Sequence, residues 1–204
     1  MSVSRINIAP IVEGHGDNAA VRLLLQRIWL ELLGGEHAEV LQPIRRKRGL
    51  LLKRESGDLE RAVNLAVAKL AQVGGGLVLI LVDAEEDCAA LGSLGPLLLE
   101  RATSARADAD IACVIANVMY ETWFVAAAGS LTKYLDDEAI QPIPEDPEAQ
   151  GLGKGWVKSR IRSGKYTETA DQAAMTSAMD LTLCRNRSRS FDKLCRELQR
   201  RLHG

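Results

Sequence analysis

Apolar residues recur along this chain in two rhythms. Three short stretches read as strands: residues 5–12 (RINIAPIV), residues 77–82 (LVLILV), whose unbroken apolar run suits burial on both faces as in parallel sheets, and residues 110–117 (DIACVIAN), also buried. Pro10 either weakens the first of these or places a bulge in it. A less regular stretch, residues 39–44, is a fourth strand candidate. Between these runs the spacing changes to helical. Residues 18–33 form a long helix with Arg22, Gln26, Arg27 and Glu31 on one narrow polar stripe, and Asp17 is its N-cap. Ser56 caps a helix over 58–72, with Leu59, Ala62, Val63, Ala66 and Leu70 on one face. A helix over 94–105 carries Pro96 in its first turn, and a short one over 120–128 follows the last strand.

Strands alternating with helices predict an α/β fold: a mostly parallel four-stranded sheet with helices on both faces. Residues 141–155, rich in Pro, Glu and Gly, read as a boundary loop. It divides an α/β domain over 1–141 from a basic helical extension over 142–204, packed on that domain. Helices are expected near 156–163, 171–183 and 190–202, the last burying Phe191, Leu194, Cys195, Leu198 and Leu202.

Charge changes the picture at two places. The net charge is only −1, yet residues 1–153 carry 14 Lys and Arg against 22 Asp and Glu, and residues 154–204 carry 12 against 5. A basic tail on an acidic body suits either a polyanionic partner or the body itself. The second place is the end of the strand over 77–82, where Asp83, Glu85, Glu86 and Asp87 crowd together. Crowded carboxylates repel, and a hard divalent cation such as Mg²⁺ or Mn²⁺ relieves the repulsion. The bland alternative is a solvated acidic loop leading into a helix.

In a parallel sheet the functional crevice lies at the carboxyl ends of the strands. With the common strand order 2-1-3-4, the first and third strands are neighbours. Glu13 then comes beside Asp83 and Glu85, a cage for a metal that could bridge phosphate oxygens in phosphodiester hydrolysis. Glu121, opening the helix after the fourth strand, points to the same edge; its other reading is a favourable interaction with that helix's dipole. His15 is a candidate acid or phosphate contact, or simply an exposed turn histidine. The turn Gly14-His15-Gly16 also fits a dinucleotide fingerprint, although the nearby acids oppose a pyrophosphate.

Arg45, Arg46, Lys47 and Arg48 form a loop suited to phosphate contact or to plain solvation. In the tail, Lys158, Arg162 and Lys165 have the spacing of one helix face that could track a nucleic-acid backbone, with Tyr166 or Trp156 stacking on a base. Lys154 and Lys165, next to glycines, could instead lean back on the acids. The four cysteines are scattered, as expected of reduced thiols in a cytoplasmic protein. No apolar run approaches a membrane span, and no signal-peptide segment opens the chain.

Several stretches together resemble a known family. Ile11-Val12-Glu13-Gly14, Val82-Asp83-Ala84-Glu85-Glu86-Asp87-Cys88, Leu94-Gly95-Pro96 and Tyr120-Glu121-Thr122-Trp123-Phe124 are similar to motifs of Toprim-like proteins of unknown function encoded beside ATPases in bacterial defence loci. Lys165-Tyr166, Asp171-Gln172 and Arg189-Ser190-Phe191 fit the same family. Its wider relatives are the Toprim domains of topoisomerases, primases and overcoming-lysogenization-defect nucleases. The resemblance implies that Glu13 acts as metal ligand or general base and that Asp83 and Glu85 hold Mg²⁺. It also implies a nuclease acting on DNA or RNA, with an ATPase partner. Toprim domains usually show Asp-x-Asp, whereas here the second acid is Glu85; Asp87 could take its place. Two other functions compete: a nucleotide-binding protein using the Gly14–Gly16 turn, and a catalytically silent subunit docking through its basic tail.

Overall fold

The computed structural model describes residues 4–14, 17–85 and 91–202. His15, Gly16, Glu86, Asp87 and Cys88, and with them part of the expected acid cluster, lie outside the described residues. So does the side chain of Asp17, the expected N-cap.

Five parallel strands make one sheet: β1 (Arg5–Val12), β2 (His37–Val40), β3 (Ile44–Arg45), β4 (Leu77–Asp83) and β5 (Asp110–Ala116). The order is β2-β1-β4-β5, with β3 also on β1, so β1 and β4 are neighbours as the α/β winding predicts. The architecture is doubly wound, Rossmann- or Toprim-like. The expected strand over 39–44 is two pieces instead. Ile8 pairs with Val40 and Ile11 with Ile44, so Ala9 and Pro10 face three residues, Leu41, Gln42 and Pro43. A bulge results where prolines on both chains withhold an N–H.

Alternate residues of each strand feed two cores. Ile6, Ile8, Val12, Leu77, Leu79, Leu81, Val114 and Ala116 point to one face, and Ala9, Ile11, Val78, Ile80, Val82, Ile111 and Ile115 to the other. The second face is covered by α2 (Arg48–Leu52), α3 (Asp58–Ala71) and α4 (Leu91–Ala105). The Ser56 hydroxyl accepts from the Asp58 N–H, but Gly57, in left-handed conformation, occupies the N-cap position of α3. Pro96 lies inside α4, which starts three residues earlier than expected.

The first face is covered by α1 (Asp17–Arg27), continued by a π-turn over Ile28–Leu32, and by most of the C-terminal region. There α5 (Glu121–Ala126), α6 (Lys154–Lys158), α7 (Ala173–Ala178), α8 (Leu181–Arg187) and α9 (Arg189–Gln199) share a single core with the strands. The helix expected over 171–183 is broken, because Asp180 accepts from the Leu183 N–H and so caps a new helix. Ser188 does the same for α9 by accepting from Phe191. Phe191 is fully buried and meets Trp123 edge-on, with ring centroids 5.3 Å apart.

No helix among the described residues is long and apolar enough to cross a membrane. Cys113, Cys184 and Cys195 are buried thiols; burial pushes Cys113 and Cys195 each up to about 12 and leaves them unreactive.

Candidate functional site

Because β1 and β4 are adjacent and parallel, Glu13 and Asp83 leave the sheet side by side. Glu13 Oε1 accepts the Asp83 N–H at 2.5 Å. Asp83 Oδ1 in turn accepts the N–H of Tyr120, the residue before α5, at 3.0 Å. Asp83 therefore joins three consecutive strand ends of the sheet. The chain beyond it is pinned on both flanks. Ala84 and Glu85 donate to the carbonyls of Ala116 and Val118 at 2.9 and 2.7 Å. On the other flank, Arg48 donates from Nε to the Asp83 carbonyl at 3.0 Å and from Nη2 to the Ala84 carbonyl at 2.9 Å. Its Nη1 lies 3.6 Å from the Glu85 carboxylate, which is more than half exposed. Glu85 and Val118 face each other with φ of 49° and 63°, left-handed conformations that non-glycine residues hold only under constraint.

Glu121 opens α5 but is buried, with 3% exposure. Burial raises its pKa, against the pull of the Lys154 charge and of the Tyr166 hydroxyl, which donates to Glu121 Oε1 at 3.0 Å. Tyr166 is itself buried, and burial together with Glu121 raises its pKa. It is thus no base-stacking platform, contrary to the expectation from sequence. Lys154 pairs with Glu168 at 2.5 Å. Burial works against its charge, but Glu168, Glu121 and Asp83 outweigh that and raise its pKa, so it stands as a half-buried cation beside the acids. It gets there through a close approach: a Cβ on Gly153 would lie 2.7 Å from Met119, whose sulfur accepts the Lys154 N–H at 3.2 Å.

The sheet thus brings Glu13 and Asp83 together, sets Glu85 on the same loop but against Arg48, and places Glu121 one residue beyond Tyr120, whose N–H holds Asp83. Among the described residues, no three His, Cys, Asp or Glu side chains converge as a metal-holding group. A pair of carboxylates nevertheless fits Mg²⁺, which takes one or two of them and completes its shell with water and phosphate oxygens.

The cations fall in two places. Arg45 pairs in register with Val12, and the Arg46 N–H donates to the Val12 carbonyl at 2.9 Å, so this basic loop lies at the same edge as Glu13. The tail does not form the expected helix face. α6 ends at Lys158, so Arg162 and Lys165 follow in irregular chain. Lys158 and Lys165 are exposed, whereas Arg162 donates to the carbonyls of Thr132 and Leu135 and pairs with Asp137 at 3.1 Å. Arg160, rather than a base, stacks on Trp156 at 4.5 Å. Arg189 and Arg201 pair with Asp146 and Asp110, so part of the tail's charge is answered by the body.

Neither a search of curated proteins nor one of solved structures finds a match. A family profile does match, over residues 12–199, a span that begins beside Glu13 and runs through Asp83, Glu121, Lys154 and all nine helices named above. With nearly the whole chain covered, this protein belongs to the family described as "Domain of unknown function (DUF4276)".

Proposed function

We propose that this chain is a cytoplasmic, Mg²⁺- or Mn²⁺-dependent nuclease, or a related phosphotransfer protein, acting on DNA or RNA. The observation that carries the reading is the contact between Glu13 and Asp83 at the ends of two neighbouring strands. These two carboxylates would hold the ion, with Glu85 or Asp87 as a third ligand. The metal would polarise the phosphodiester and lower the pKa of an attacking water. This chain's own residues supply the rest. Arg45 and Arg46, at the same edge, draw in the phosphate backbone, and the exposed Lys158 and Lys165 of the tail offer further cations, while Arg162 is partly spent on Asp137. Lys154 balances the acids, and Glu121, kept protonated more readily by burial, is placed to hold or give a proton. The Toprim-like motifs of the sequence support the same reading, including its place in bacterial defence beside a partner ATPase.

The test is incubation of supercoiled plasmid, single-stranded DNA and RNA with Mg²⁺ or Mn²⁺. Cleavage that chelation and Asp83→Asn both abolish is the expected result; identical cleavage by Asp83→Asn removes the assignment. A second reading, a catalytically silent subunit that docks on a partner, is favoured by one observation. Among the described residues, Glu85 leans on Arg48 instead of closing a set of three acids. Mn²⁺ binding without cleavage of any of the three substrates would select it.

A further inference from the structure

We infer that Arg48 is a positioning residue for this site: its guanidinium sets the turn over residues 83–85, and thereby the main chain that carries the Asp83 carboxylate, which would hold the metal beside Glu13. The inference rests on the metal-site reading above. Arg48 belongs to a run of cations that the sequence assigns to phosphate or to solvent, yet its side chain is only 17% exposed. It is aimed at three consecutive residues: the carbonyls of Asp83 and Ala84, and the carboxylate of Glu85. A guanidinium is a rigid planar fork with five donors, so it can fix two successive peptide planes at once, as a point-charge ammonium cannot.

The turn it holds needs such a constraint. Glu85 has a positive φ, and the carbonyl it bonds belongs to Val118, a β-branched residue that is also left-handed. Strained residues of this kind persist only where their surroundings determine them from several sides. Here the end of β5 holds one side and Arg48 the other. The Asp83 N–H and carboxylate are engaged by Glu13 and Tyr120. Arg48 thus anchors the Asp83 main chain at its carbonyl, and a shift of that main chain would carry the Cα, and with it the carboxylate, relative to Glu13.

Arg101 provides the control. It donates to the carbonyls of Leu51 and Leu52 and to Glu60, so it anchors the far end of the same α2 without touching the acid turn. The experiment is a Mn²⁺ titration followed by electron paramagnetic resonance, with melting temperatures recorded on the same samples, for wild type, Arg48→Lys, Arg48→Gln and Arg101→Lys. Loss of residues that orient metal ligands typically weakens metal binding about tenfold to a hundredfold, and that is the expected effect of either Arg48 substitution. Arg101→Lys should lower the melting temperature but leave Mn²⁺ affinity within about twofold. Wild-type affinity in both Arg48 variants would overturn the inference while leaving the metal reading intact. Equal weakening by Arg101→Lys would also overturn it, by showing that any loosening of α2 suffices. A wild-type chain that takes up no Mn²⁺ would remove the metal reading and the inference together.

Discussion

Glu121 is the residue where burial and charge oppose each other most plainly. Its pKa stands above the usual carboxylate value of 4.5 because the folded chain dehydrates it, against the pull of a backbone N–H, the Lys154 charge and the Tyr166 hydroxyl. The folded state thus keeps the proton at pH values where the unfolded chain has released it. The stability this group contributes is fully present below the unfolded pKa and is lost as pH rises through the folded one. Glutamine cannot titrate. In Glu121→Gln, the melting temperature relative to wild type should therefore climb as pH is raised from about 4.5 towards neutrality. A difference that stays flat with pH would show that Glu121 titrates normally. Tyr166→Phe is the complementary change. It takes a donor from a buried carboxylate, which costs about 1–3 kcal/mol at neutral pH, and the loss should shrink on acidification as Glu121 protonates. Urea denaturation at pH 5 and 8 measures both values.

The elements show a similar dependence on single contacts. Gly76 turns the chain into β4 with φ of 145°, and a Cβ there would run into the carbonyl oxygen of Asn7 in β1. The Asn7 side chain also donates to the carbonyls of Val73 and Gly75, both at 2.9 Å, so turn and strand are fitted to each other. Gly76→Ala should destabilise the protein by about 1–3 kcal/mol, read as a lower urea midpoint with unchanged slope. This turn was legible in the sequence as three glycines before an apolar run. So were β1, β4 and β5, because short, β-rich apolar stretches bounded by turn and helix signals are too brief for helices and read as buried strands. From their order followed the meeting of Glu13 and Asp83. The errors arose where periodicity outlasted the hydrogen bonds. A helical pattern runs through residues 171–183, but the cap at Asp180 cuts it. Lys158, Arg162 and Lys165 have helical spacing in a segment that is helical only as far as Lys158. The roles of Arg48 and Tyr166 were not legible, since their partners lie 35 and 45 residues away and long-range polar contacts leave no periodic mark.

At the scale of the whole molecule, the basic tail and the acidic body are joined by one core. Met175, Cys184, Phe191, Leu194 and Leu198 belong to the same buried cluster as Ile8, Leu79 and Val114. A chain ending at Gly153 would keep α1 and α5 but lose α7, α8 and α9 from that sheet face, exposing their apolar partners at roughly 1.5–3 kcal/mol for each large side chain, and should lack a cooperative melt. Truncation therefore cannot locate a nucleic-acid contact; charge reversal within the intact fold can. Arg45 and Arg46 lie at the strand ends beside Glu13, where a phosphate must arrive if the acids hold a metal. Arg162 in the tail is engaged with Asp137 and two carbonyls, while Lys158 and Lys165 stand exposed away from any regular element they share. Each lost phosphate contact lowers the slope of log affinity against log salt by about 0.7 on single strands and about 0.9 on duplex. Reversing Arg45 and Arg46 together should thus flatten the slope by roughly 1.4–1.8, and reversing Lys158 and Lys165 by less. Fluorescence anisotropy of a labelled oligonucleotide at several salt concentrations reads both. A steeper loss from the lysine pair would place the backbone's path over the tail. No change from either pair would mean that these cations do not meet phosphate at all.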